Sequence, residues 1–305
     1  MRSLLLISCA ASLTLAVGCQ VYHVHDDANC PARFFAEAHQ FHAAPPAAPA
    51  PAEVEVVKVE TEKKADHKPH WGYAGDHGPG CWSHVPGWKG DHRRHSPIDL
   101  GSSKFSRQLP ELDCTEIAAS ETYLFNNGHT LQCDWDAGSF VRFGDAEYEV
   151  LQFHFHTYSE HTIDGMHSPM EMHVVTKNTA GDDLLVIGIF FEVARKESPF
   201  LAKIAARLPE TSEDPPFESG DELPLGKLIA DLDPEKFYSY PGSLTTPPAS
   251  GIVTWVVLEQ PSSMSQEQYE EFRNIMGNNF RPVQPLEGRK VLRSFRNTSV
   301  SSRGH

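Results

Sequence analysis

QFHFHTYSEHT, residues 152–162, holds three histidines, a glutamine and a glutamate within eleven residues. Side chains two apart on a β-strand share a face. Gln152, His154 and His156 then point one way, while Leu151, Phe153 and Phe155 point the other, into an apolar core. EMHVV, residues 171–175, repeats the arrangement, with Glu171, His173 and Val175 on one face and Met172 and Val174 on the other. Antiparallel pairing of two such strands would gather His154, His156 and His173. Three imidazoles with an open fourth position form the ligand set of a catalytic zinc site. Gln152 and Glu171 each precede a ligand by two residues on the same face, placed to accept the proton of its second ring nitrogen.

Outward from these strands the chain reads as β-structure. EYEVLQFHFH (147–156) and PMEMHVVT (169–176) alternate, and GIVTWVVLE (251–259) is a further strand. LLVIGIFFEV (184–193) is a continuous apolar run, suited to a buried central strand. YLFNNGHTLQCDW (123–135) reads as two strands joined at Asn-Asn-Gly, a turn that favours positive φ. Two helices are expected. One begins at Ser198, with Pro199 at its first position and Leu201, Ile204 and Leu208 along one side. The other begins near Ser265, with Gln268 completing a capping box and Tyr269, Phe272 and Met276 facing inward. The expected fold is mostly β: one domain on a large, central, mainly antiparallel twisted sheet with short peripheral helices.

Acidic residues outnumber basic ones 41 to 26 in the 305-residue chain, a formal charge of −15. That balance argues against nucleic acid or an anionic membrane surface as a partner. Residues 1–19 carry an early arginine and an apolar run from Leu4 to Val17, too short for a membrane span, and read as an export signal. AVGC (16–19) resembles the lipobox of bacterial lipoproteins, which would make Cys19 a lipid-anchored N-terminus in a bacterial envelope, periplasmic or membrane-bound. Cleavage nearby and simple secretion is the alternative. Residues 20–69 are Ala/Pro-rich and then charged, the composition of an extended linker, with His23, His25, His39 and His42 scattered in or before it. The folded domain is expected over 70–298, with a tail at 299–305. Cys30, Cys81, Cys114 and Cys133 lack the CxxC spacing of a metal site, and four cysteines admit three disulfide pairings. Oligomeric state stays open, a dimer included.

Taken alone, His-x-His-x-x-x-Glu also opens the cupin metal motif, in which Glu160 would itself bind iron or manganese. The glycine which that motif expects six residues before its first histidine is Tyr148 here, and the second cupin motif is absent. The chain instead resembles the α-class carbonic anhydrases, bacterial members included. The resemblance rests on HWGY (70–73), HSPIDL (95–100), NNGH (126–129), QFHFHTYSEHT, EMHVV, YPGSLTTPP (240–248), VTW (253–255) and NFRPVQPL (279–286), in that order.

The resemblance implies reversible hydration of carbon dioxide to bicarbonate and a proton, with one zinc on His154, His156 and His173. It implies that Thr245 accepts a hydrogen bond from the zinc hydroxide and donates its own proton to Glu160. Thr246 and the Thr245 amide would position bicarbonate, and Val175, Val186, Leu244 and Trp255 would line a dry carbon dioxide pocket. His129 would shuttle the proton, with Tyr73 and Asn127 ordering the connecting waters, and an imidazole suits that work at neutral pH. His161 would stiffen the site by internal hydrogen bonds. Three departures stand out. His95 occupies the place of a usual glutamine, Gln132 and Asp134 stand where members vary, and the loop after SLTTPP has no cysteine to staple it. A noncatalytic binding module on the same fold is the competing reading, set aside because the ligands, the threonine and its glutamate are all kept.

Overall fold

A computed structural model describes residues 71–120, 122–205, 208–218 and 222–296. The signal, linker and tail expected from the sequence, including Cys19, lie outside the described residues. Among the described residues thirteen strands form one sheet. Seven of them carry the argument: β1 (Tyr123–Asn126), β2 (Leu131–Asp134), β3 (Ala146–His156), β4 (Met170–Asn178), β5 (Leu184–Val193), β6 (Phe237–Gly242) and β7 (Val253–Leu258). Their order across the sheet is β6-β7-β5-β4-β3-β2-β1. Neighbours run antiparallel except β5 and β7, which pair parallel. The β1–β2 turn contains Gly128 at φ +84°, the left-handed conformation expected of Asn-Asn-Gly.

Alternation divides the apolar residues between two faces. Phe153, Phe155, Met172, Val174, Ile187, Ile189 and Val256 enter one core, with Phe200, Leu201 and Phe272 from the helices that cover it. Val175, Val186, Tyr240, Trp255 and Val257 form a second cluster with Ile98 and Leu100. β5 contributes to both, which is why it reads as an unbroken apolar run. Leu151 corrects the expectation above. The register between β3 and β4 shifts between Val150 and Gln152, and Leu151 is 40% exposed. A bulge takes up one residue there, so Val150 rather than Leu151 continues the buried row.

Helix α1 (Pro199–Ala205) starts at the expected proline, and the Leu201 amide donates to Ser198 Oγ. It ends before Leu208, which still packs against the core. A six-residue helix, α2 (Leu225–Ala230), was not legible in the sequence, having no side-chain cap. Helix α3 (Gln266–Met276) has the full capping box between Ser265 and Gln268. Gln268 also accepts from the Ser198 amide at 2.7 Å and donates to the Ser198 carbonyl at 3.0 Å, so one side chain joins two helix starts.

Candidate metal centre

Register places the histidines. Gln132, His154, His173 and Gly188 form one row across β2, β3, β4 and β5. His156 pairs with Glu171 two positions along, and Gln152, Val175, Val186 and Trp255 form the row on the other side. The three imidazoles thus converge, with ring centroids 4.6 to 5.3 Å apart.

Each ring has one nitrogen already engaged by an acceptor. His154 Nδ1 donates to Gln152 Oε1 at 2.9 Å, His156 Nδ1 to the Asn279 carbonyl at 2.8 Å, and His173 Nε2 to Glu171 Oε1 at 2.9 Å. Those bonds leave His154 Nε2, His156 Nε2 and His173 Nδ1 with free lone pairs. One nitrogen from each ring lies within 4.8 Å of the others, and His156 Nε2 is buried without any partner. Burial, followed by the charges of the neighbouring rings, holds His154 well below the usual histidine value, and burial likewise lowers His156. Rings whose outer nitrogens are held by acceptors and whose inward nitrogens converge, that of His156 without any partner, fit a zinc ion.

Glu171 is the hub of the support. Its Oε1 accepts from His161 Nδ1 at 2.7 Å as well as from His173, and its Oε2 accepts the Glu160 and His161 amides. Gly188 lies beneath it, where a Cβ would come within 2.9 Å of Oε1. His161 Nε2 meets the Tyr240 hydroxyl at 2.7 Å, so both of its nitrogens are occupied and it is no ligand. The alternative group His161, Glu171 and His173 is therefore a hydrogen-bond chain rather than a second metal site. Glu160 is fully buried, with Oε1 accepting the Arg281 amide at 2.8 Å and Oε2 without a partner. Thr245 is buried on the loop following β6. Val175, Val186 and Trp255 meet in the second apolar cluster, with Leu244 packed against it.

Comparison with known proteins agrees with this geometry. The sequence model for the eukaryotic-type carbonic anhydrases matches residues 77–295. A carbonic anhydrase of Nostoc sp. is 34% identical over 238 residues, covering 74% of this chain and 86% of the relative. Human carbonic anhydrase 7 is 35% identical over 268 residues, covering 74% and 97%. The α-carbonic anhydrase of Thermovibrio ammonificans, solved with the inhibitor sulfanilamide, superposes with a TM-score of 0.66 at 36% identity, over 73% of this chain and 99% of that one. The chain belongs to the α-carbonic anhydrase family.

Within this carbonic anhydrase, His129 stacks on Trp71 with centroids 3.7 Å apart and planes 6° from parallel. Its amide donates to Asn127 Oδ1, while Asn127 Nδ2 donates to Gln132 Oε1. Burial, then the Glu160 charge, pushes the Tyr73 phenol well above the ordinary tyrosine value. The loop lacking a staple is held by other means. Leu244 N–H donates to the Ser250 carbonyl, Ala249 N–H to Thr246, Lys89 N–H to Pro248, and the Trp255 indole to Ser243. Cys81 is disulfide-bonded, whereas Cys114 and Cys133 are free and buried.

Sequence reasoning missed two residues. Asn279 supports His156 through its backbone, and its side chain donates to the His129 and Phe155 carbonyls while accepting from the Thr157 amide. Trp71 gives His129 its platform. The motifs NFRPVQPL and HWGY contain both, and polar or aromatic residues inside such segments were the available signal.

Proposed function

We propose that this carbonic anhydrase catalyses the reversible hydration of carbon dioxide with one zinc ion on His154, His156 and His173. The observation that carries the reading is the set of three acceptor bonds that turns one lone pair of each ring toward a common point. When bound there, zinc supplies a Lewis acid strong enough to make hydroxide available from water near neutral pH.

The protein's residues do the rest. Glu160 has one buried oxygen free, which suits it to accept the Thr245 hydroxyl proton. Thr245 then has only a lone pair to offer the nucleophile, which orients it and disfavours protonated groups at the metal. Thr246 and the Thr245 amide hold bicarbonate. Val175, Val186, Leu244 and Trp255 present an apolar wall to a nonpolar substrate and exclude water from its seat. His129 takes the released proton and passes it to buffer, through water ordered by Tyr73 and Asn127. We also read residues 1–19 as an export signal ending at Cys19, so that the enzyme would work in a bacterial envelope or outside the cell.

His129→Ala tests the mechanism. At saturating carbon dioxide in weak buffer, stopped-flow turnover should fall by up to about 10²-fold and recover on addition of imidazole. Unchanged turnover would remove His129 as the shuttle, and a wild-type protein with no hydration would remove the function.

A further inference from the structure

Asn279 is buried in the segment after α3 and bonded to two separate parts of the site. Its main chain is fixed to the end of β3. The carbonyl accepts from His156 Nδ1 at 2.8 Å, and the amide donates to the Thr157 carbonyl at 3.1 Å. Its side chain adds Oδ1 as the acceptor of the Thr157 amide at 2.8 Å. On the other side, Nδ2 donates to the Phe155 carbonyl at 2.9 Å and to the His129 carbonyl at 3.1 Å. His129 stands in the β1–β2 turn, 150 positions away in the chain.

The carboxamide has one workable orientation here. The Thr157 amide needs an acceptor and the two carbonyls need donors, so oxygen and nitrogen cannot exchange places. A buried amide with both ends engaged is rigid. It also acts where strand pairing stops. The β2–β3 ladder ends at Gln132 and His154, and beyond that pair Thr130 Oγ1 and Asn279 Nδ2 both donate to the Phe155 carbonyl. The turn itself is closed by its own bonds, since Asn127 Oδ1 accepts the His129 and Thr130 amides and the Asn127 amide donates to the Thr130 carbonyl. Such a turn can shift as a unit unless something outside it holds its main chain.

We propose that Asn279 is a positioning residue for His129, its carboxamide a brace that sets the main chain of the turn at a fixed place relative to the metal ligand His156. Trp71 holds the His129 ring by stacking. Asn279 holds the backbone beneath that ring, from a residue that also holds His156. Proton transfer through ordered water depends on the spacing of its two ends, and a small displacement of either lowers the rate. The effect on turnover rests on the reading of His129 as the shuttle, whereas the effect on the turn does not.

Asn279→Asp in the zinc-loaded protein tests the brace. It keeps the main-chain carbonyl for His156 and an oxygen for the Thr157 amide, and it turns a second oxygen toward the two carbonyls in place of the donor. Asn279→Ala serves if the aspartate variant does not fold. Amide hydrogen exchange reads the turn directly. The His129 and Thr130 amides should exchange about 5-fold faster or more than in the wild type, with those of β4 unchanged. Unchanged exchange in the turn would overturn the proposal whatever the activity. Stopped-flow hydration in weak buffer reads the consequence. There kcat should fall about 3–10-fold and kcat/KM by less than about 2-fold. In a His129→Ala background the second substitution should lower kcat no further, because nothing is left to position. Equal losses in the two backgrounds, or equal losses in kcat and kcat/KM, would overturn the positioning role and place the effect on the fold or on His156. If His129→Ala alone leaves kcat intact, the shuttle reading falls and the positioning role with it, and exchange still decides whether the brace holds the turn.

Discussion

Glu171 is a carboxylate with no water to solvate it. Burial alone would raise its pKa, but its interactions with His161 and His173, hydrogen bonds included, hold it well below the usual carboxylate range. Its charge thus fixes the His173 tautomer and would add to the basicity of the nitrogen proposed to hold zinc. Glu171→Gln keeps the shape and removes the charge. Zinc affinity, measured by competition with a chelator, should fall about 10–100-fold. Equal affinity would mean that the carboxylate only fills space. At this scale most of the centre was legible, because period-two alternation puts Gln152, His154, His156, Glu171 and His173 on one face from spacing alone. Asn279 was not legible. It supports His156 with a backbone carbonyl, which every residue possesses, from 123 positions away.

Strand β3 shows where alternation breaks. Its bulge turns Leu151 outward while Phe153 and Phe155 stay fully buried. Nothing in the side-chain pattern announces such an insertion, since QFHFH alternates correctly on both readings and the slip lies just before it. The consequence is a contrast between neighbours. Phe153→Ala should cost about 3–5 kcal/mol in urea unfolding, whereas Leu151→Ala should stay within about 0.5 kcal/mol. Comparable losses at the two positions would place Leu151 in the core and refute the bulge. Helix α3 was readable for the opposite reason, because a capping box is a local signal that the structure uses as written. Helix α2 has six residues, no side-chain cap and Pro224 before it, so its position comes from burying Leu225, Leu228 and Ile229.

For the whole molecule, the sheet brings residues more than 120 positions apart to one side of two strands. The segment after α3 reaches His156 through the Asn279 carbonyl and the β1–β2 turn through the Asn279 side chain. The order of motifs along the chain therefore carried the fold further than any element did alone. The segment before residue 70 is a separate matter, argued from composition. Mass spectrometry of the mature protein from a bacterial host should find an N-terminus at Cys19 carrying lipid. An unprocessed Met1 would remove the export reading, and an unmodified N-terminus nearby would favour simple secretion. Removing zinc should lower Tm, because an ion bound by the native state alone stabilises it in proportion to the logarithm of its concentration over Kd.

The central claim is that His154, His156 and His173 form a zinc centre that hydrates carbon dioxide. Its most direct test is stopped-flow hydration on protein whose zinc content is measured in the same sample. The account predicts one zinc per chain, hydration that vanishes on chelation and returns with one equivalent of zinc, and none of either in His156→Ala. A folded, fully zinc-loaded wild type with no hydration above buffer would contradict it.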